Sequence, residues 1–160
     1  MIFVTVGWHN QPFLRLVTKM DEIAGRIEEE VVIQKGHTEY ETKHAISFDF
    51  LPSDEEYLEY FKKARIIVCH AGAGTLLNSL SFGKTTIVMP RLRKYDEHMN
   101  DHQLELVGAL KVKKGLTVVL EADALEEAIA NANTNSTIPI ESDLSLCKYI
   151  RKCLQDLTGS

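Results

Sequence analysis

Residues 65–90 read Arg-Ile-Ile-Val-Cys-His-Ala-Gly-Ala-Gly-Thr-Leu-Leu-Asn-Ser-Leu-Ser-Phe-Gly-Lys-Thr-Thr-Ile-Val-Met-Pro, and this stretch decides the fold. Ile66 to Cys69 is a short β-branched apolar run, the pattern of a strand buried on both faces. His70-Ala71-Gly72-Ala73-Gly74-Thr75 leads from it into Leu76, Leu77 and Leu80, whose spacing is helical. Gly83 stops the helix, and Thr86 to Met89 reads as the next buried strand before Pro90 breaks it. The unit is strand, glycine loop, helix, strand. Glycines 72 and 74 lack a Cβ, so backbone N–H groups there can approach a ligand closely. The start of the following helix offers unpaired donors and a partial positive charge, which suit a phosphate. Tight packing without any ligand would use the same residues.

Moving toward the N-terminus, residues 2–7 read as a strand ending at Gly7, followed by the loop Trp8-His9-Asn10-Gln11. Asn10 is placed to cap the next helix, with Pro12 in its first turn. Phe13, Leu16, Val17, Met20, Ile23, Ala24 and Ile27 repeat at three and four, giving an amphipathic helix. Val31 to Gln34 is a second strand closed by Lys35-Gly36, and Ala45 to Phe50 a shorter third. Ser53-Asp54-Glu55-Glu56 is a capping box opening a helix that carries Tyr57, Leu58, Phe61 and Ala64 inward.

Moving toward the C-terminus, Arg91 to His98 is a charged loop too long for a simple connection. Its Arg91, Arg93 and Lys94 suit either a solvated surface or an anionic ligand. Asn100 or Asp101 caps a helix holding Leu104, Val107 and Leu110. Leu116 to Leu120 is another strand, and Asp123 with Glu126 caps a helix through Leu125, Ala128 and Ile129. After a polar break at 131–139, Leu146, Cys147, Ile150, Leu154 and Leu157 give a terminal helix over 143–157. Strands alternating with helices indicate an α/β fold, a Rossmann-like parallel sheet with helices on both faces, in a single domain over 1–160. Ligands of such sheets sit at the carboxyl ends of the strands. Four loops lie there: 7–11, 51–53, 70–75 and 91–103.

Composition narrows the function. The chain has 160 residues, 44% of them hydrophobic and 26% charged, as in ordinary globular proteins. A net charge of −5 argues against nucleic-acid binding, which needs a basic face. No stretch approaches a membrane span, and Met1 to Gly7 lacks the basic region and cleavage site of a signal peptide. Cys69, Cys147 and Cys153 have no metal-type spacing and suit reduced thiols in the cytoplasm.

Several motifs are decoys. Gly83-Lys84-Thr85 resembles the end of a P-loop, but position 78 is asparagine and the segment follows a helix. The dinucleotide fingerprint and the nucleophile elbow are absent. His98 and His102 share the spacing of zinc ligands without the accompanying glutamate, and ligand or solvent hydrogen bonding is the better account of them.

Ile2-Phe3-Val4-Thr5-Val6-Gly7 with His9, Phe50-Leu51, His70 to Thr75, Gly83-Lys84, Pro90 and Asn100-Asp101-His102-Gln103 resemble the C-terminal, donor-binding half of family 28 glycosyltransferases, over about residues 1–130. The resemblance is greatest to stand-alone subunits of split enzymes: the PssE exopolysaccharide and capsule type, and the soluble subunit of the dolichol-pathway UDP-GlcNAc transferase. It implies the C-terminal half of a GT-B fold and a UDP-sugar donor. The donor diphosphate would be held by Gly7, Trp8, His9, His70, Gly72, Ala73, Gly74 and Thr75. Leu51 and Asn78 would meet uracil and ribose, and Asp101, His102 and Gln103 the sugar. No metal or other cofactor is implied. The partner implied is a membrane-anchored subunit holding a polyprenyl-linked acceptor, so the chain would work as a hexosyltransferase at the inner membrane face, and only with that partner. Attack on the donor would be inverting. The general base would lie in the partner, with His9 the one local candidate.

Two places depart from the family pattern: Asn78 replaces a ribose-binding glutamate, and in the first loop Trp8 replaces a small hydroxyl residue and Asn10 a frequent glutamate. They support an alternative in which the chain is a non-catalytic enhancer subunit. A nucleotide-sugar epimerase or hydrolase is a third reading, disfavoured because such enzymes carry both halves in one chain.

Overall fold

The computed structural model describes residues 1–110 and 116–132, together with the single positions 148 and 152. The helix expected over 143–157, with Cys147 and Cys153, lies outside that description apart from those two positions. Six strands run β1 (Ile2–Thr5), β2 (Val31–Gln34), β3 (Ile46–Phe48), β4 (Ile66–Cys69), β5 (Thr85–Val88) and β6 (Leu116–Val118). Five helices join or follow them: α1 (Leu14–Ala24), α2 (Asp54–Lys63), α3 (Ala73–Ser81), α4 (His102–Leu110) and α5 (Leu125–Ala130). The strands form one sheet in the order β3-β2-β1-β4-β5-β6, and every pairing is parallel. This is the Rossmann-like arrangement that alternating strands and helices imply.

Alternation along each strand divides the core between the two faces. Ile2, Val4 and Val6 join α1 and α5 through Leu16, Met20, Leu125 and Ile129 on one face. Phe3, Ile67 and Cys69 join α2, α3 and α4 through Phe61, Leu76 and Val107 on the other. β1, β2, β4 and β5 are buried at every residue, which is why they read as continuous apolar runs. β3 is an edge strand with an exposed Ile46, so it is short and mixed in character.

Two expected caps are not used. Asn10 does not cap α1, which starts at Leu14 behind Phe13. Long-range contacts hold that segment instead: Phe13 N–H donates to Thr38 Oγ1 at 2.9 Å. Asp123 pairs with Lys19 and Glu126 with Arg26, so α5 begins without a side-chain cap. The capping box at α2 is half realised, with Ser53 Oγ accepting from Glu56 N–H at 3.2 Å.

The order of the sheet fixes where a ligand can sit. From β1 the chain turns through α1 toward β2, and from β4 it turns through α3 toward β5 on the opposite face. Their loops diverge above the β1–β4 boundary and leave a crevice at the carboxyl ends.

Candidate functional site

The glycine loop forms one wall of this crevice. Gly72 precedes α3 and supplies no capping side chain, and the first turn carries no acidic residue. The first helical bond runs from Leu76 N–H to Gly72 C=O at 3.0 Å. The N–H groups of Ala73, Gly74 and Thr75 are therefore free of helical partners, at the positive end of the α3 dipole.

The glycines do different jobs. A Cβ on Gly72 would lie 2.0 Å from His70 Nε2, and one on Gly7 would lie 2.4 Å from His70 Cε1. Those two residues clamp the imidazole between backbones, and Gly7 also needs its φ of 73°. At Gly74 nothing lies within 4 Å of the added carbon. A glycine inside a helix costs about 1 kcal/mol relative to alanine, and no packing contact at this position requires it. Open space for a close ligand is what it preserves.

His70 is buried, and burial foremost, then the Arg91 charge, pushes its imidazole down to about 3. It is neutral at physiological pH. The floor beside it is a polar network. Thr5 Oγ1 donates to Gln34 Oε1 at 2.6 Å and accepts from Gly7 N–H at 3.2 Å. Tyr57 Oη lies 2.9 Å from the same hydroxyl, and Gln34 Nε2 donates to Gly7 C=O at 3.2 Å. Burial pushes the Tyr57 phenol up. Trp8 is exposed at the rim and stacks on Phe50, with centroids 4.9 Å apart.

Two cavities flank the start of α3. The first, about 400 Å³, is bounded by Gly7, Trp8, His70, Gly74, Thr75 and Asn78. Asp54, Tyr57 and Leu58 of α2 also line it. The second, about 300 Å³, lies between Ala71 to Ala73 and the charged loop, with His98, Asn100, His102 and Gln103 on its far side. Gly72 lines both, so the uncapped helix start stands between them. Among the described residues no lysine or arginine lines the first cavity, and Asp54 is its one carboxylate. An anion there would be held by amides and dipole.

The structure thus gathers most of the residues singled out from sequence and disperses three. Asp101 lines a separate groove with Leu104 and Leu120, and its Oδ1 accepts from Arg93 N–H at 3.0 Å. Leu51 packs against the α2–α4 side of the core and lines neither cavity. His9 lies at a tilt against His98, ring centroids 4.6 Å apart, and its Nδ1 accepts from Gln11 N–H at 3.2 Å. In the first cavity, Asp54, Tyr57 and Leu58 are the lining residues that sequence reasoning missed, although their helix was expected right after the 51–53 loop. His98 Nδ1 accepts from Asn100 N–H, and His102 Nδ1 lies 3.5 Å from Glu105. No cluster of three or more histidine, cysteine or acidic side chains able to hold a metal occurs among the described residues.

Arg91 answers neither expectation for the charged loop. It is fully buried, so it belongs neither to a solvated surface nor to a cavity wall. Glu97 is buried too and holds Arg15 through two bonds of 2.9 and 2.8 Å. Lys84 in the P-loop decoy donates to the C=O groups of Lys62 and Ala64, closing the end of α2.

A family model described as "Glycosyltransferase family 28 C-terminal domain" matches residues 1–147. Among solved structures, the glycosyltransferase SnogD from Streptomyces nogalater aligns over 99% of this chain and 39% of its own, at 18% identity and TM-score 0.54. MurG from Acinetobacter baumannii aligns over 96% and 49%, at 13% identity and TM-score 0.61. ALG13 aligns over 98% and 96%, at 17% identity and TM-score 0.60. At such identities the likeness is one of fold. The chain spans 38% of the length of a further match, the kitacinnamycin glycotransferase. No curated protein matches the sequence.

Proposed function

The chain belongs to the glycosyltransferase family 28 C-terminal domains, and on that premise we propose that it binds the UDP-sugar donor of an inverting hexosyltransferase. The observation that carries this reading is the uncapped start of α3 standing between two cavities. The diphosphate lies across Gly72 to Thr75, where N–H groups and the helix dipole stabilise the charge that builds up as the sugar departs. The nucleoside extends into the first cavity past Trp8 and Asn78. The sugar occupies the second, within reach of His102 and Gln103. Gln103 Oε1 already accepts from Arg91 N–H at 2.9 Å, so its amide nitrogen is the end left to meet a sugar oxygen. The donor is the substrate, and the reading assigns no resident cofactor.

The acceptor half is a second, membrane-anchored subunit holding a polyprenyl-linked acceptor, in exopolysaccharide or lipid-linked oligosaccharide synthesis. The likeness in fold to ALG13 is what supports this division of labour. No described helix is long and apolar enough to cross a membrane. In this reading the partner holds the chain at the cytoplasmic face.

Trp8 is the sole tryptophan, and it lines the first cavity. Titration with UDP, ADP and GDP, read by its fluorescence and by calorimetry, tests the reading. Saturable binding of UDP in preference to the purine nucleotides is expected, and absence of UDP binding by both methods would overturn it. Asp54 on the wall of an anion site is the observation favouring the enhancer alternative. In that case, transfer by the reconstituted pair would survive Gly74→Val, which would abolish it if this chain holds the donor.

A further inference from the structure

Arg91 is the largest fully buried side chain among the described residues. Its guanidinium lies over the Phe13 ring, 4.8 Å from the centroid. Nη1 donates to the C=O groups of Gln11 at 2.8 Å, Pro12 at 3.3 Å and Glu97 at 3.1 Å. Nη2 donates to Val6 C=O at 2.9 Å. Val6, Gln11 and Pro12 bracket the loop that carries Trp8 and His9. Glu97 sits in the loop that carries His98. At its backbone, Arg91 N–H holds Gln103 Oε1. One residue thus grips both loops and orients a side chain of the second cavity.

Fold stability alone is a weak explanation for this arrangement. Among the described residues no carboxylate forms a salt bridge with Arg91, since Glu97 is engaged by Arg15 and by Leu92 N–H at 3.0 Å. Burial pulls the guanidinium down to about 10, with Glu97 opposing. Buried charge can often be replaced by well-packed apolar groups without loss of stability. The buried side-chain atoms without a hydrogen-bond partner among the described residues are Gln11 Oε1, His70 Nδ1 and Arg91 Nε. All three belong to the ligand loops or to the arginine that joins two of them. Incomplete hydrogen bonding confined to one junction calls for a specific explanation.

We propose that Arg91 is a positioning residue that couples the β1 and β5 loops, setting Trp8 and His9 against His98 and Gln103. Its consequence for binding rests on the reading that these loops hold a nucleotide-sugar donor. Loss of the guanidinium releases both loops together, because the carbonyls it holds lie on both. Lysine keeps the charge but cannot span the same carbonyls from a single nitrogen, so it restores only part of the coupling.

The test uses Arg91→Lys and Arg91→Met in the full chain, each checked for cooperative melting. Amide hydrogen exchange is followed over 7–12 and 92–98, and UDP affinity is measured by calorimetry well below the melting temperature. Exchange should accelerate in both segments at once. UDP affinity should fall by about tenfold or more in the methionine variant and by less in the lysine variant, tenfold corresponding to about 1.4 kcal/mol. Faster exchange confined to 92–98 would overturn the coupling. Unchanged UDP affinity in a folded Arg91→Met protein would overturn the positioning role and leave a merely structural residue. Should the methionine variant not fold, the lysine variant carries both readings. If the wild-type chain itself does not bind UDP, the donor-site reading fails and the exchange data alone decide whether the loops are coupled.

Discussion

The glycine loop after β4 and the charged loop after β5 leave neighbouring strands and end beside the same cavity, yet they reach it by opposite means. The glycine loop has no charged side chain and presents backbone N–H groups at an uncapped helix. The charged loop has arginines, a lysine and acids, and its two buried charges are turned inward. Arg91 goes to backbone carbonyls and Glu97 to Arg15. In the donor-binding reading proposed above, the anion is met where side chains are missing, and the most conspicuous buried charges hold the scaffold in place. Formal charge in a sequence is a poor guide to where a ligand's charge is met.

The sharpest way to break the comparison is to put side chains where it says there must be none. Gly7→Ala forces a Cβ against His70 at a positive φ, and should destabilise the fold by about 3 kcal/mol in urea denaturation. Gly72→Ala should also destabilise, and should recover much of that loss in a His70→Ala background, as a double-mutant cycle would show. Independent effects would mean that the imidazole is not what the glycines accommodate.

The charged loop supplies the next contrast. Glu97→Gln leaves Arg15 and Leu92 N–H with a weaker acceptor, and should cost about 2 kcal/mol. Arg93→Ala removes an exposed charge from the same loop, and should stay within about 0.5 kcal/mol. Equal effects would put the loop's charges back on the surface.

A pH series separates the regions further. The native His70 imidazole stays unprotonated down to about 3, whereas the unfolded chain takes up that proton near its ordinary value of 6.5. The unfolded state therefore binds more protons between those values, so stability falls as pH drops from about 6.5 toward 3 and is flat above. Between pH 6.5 and 5 the loss should be of order 1 kcal/mol, and His70→Gln should remove most of it. His9 shifts in the same direction, so a residual slope should remain. An unaltered slope would show that His70 is not the group that titrates.

A small effect is also the most diagnostic in sign. Gly74→Ala should stabilise the chain by about 0.5–1 kcal/mol, because alanine suits a helix better. It should weaken UDP binding at the same time, because the new methyl group enters open space beside α3. A variant that is more stable and binds equally well would remove the argument that Gly74 is kept for a ligand.

Much of this was legible in the sequence because it is local. The four strands buried on both faces announce themselves as apolar runs, and the strand–glycine–helix unit places the crevice. What escaped depends on distant partners. Asn10 looked like a cap, but Phe13 N–H is satisfied by Thr38, and Gln11 and Pro12 by Arg91. Nothing near position 91 signals that carbonyls of residues 6, 11, 12 and 97 converge there. Asp101 and Gln103 look like a pair in sequence, but Asp101 accepts from Arg93 N–H before α4 begins, while Gln103 lies within the helix facing another cavity. Tyr57 read as core and is largely buried, but its hydroxyl end belongs to the floor of the site.

The central claim is that backbone amides at the start of α3 bind the anion. The most direct test is an amide chemical-shift map of the isotope-labelled chain during addition of UDP. The account predicts that the largest shifts fall on Ala73, Gly74 and Thr75, with the Trp8 indole following and the amides of residues 93–96 nearly still. Saturating UDP that moves the charged loop and leaves those three amides in place would contradict it.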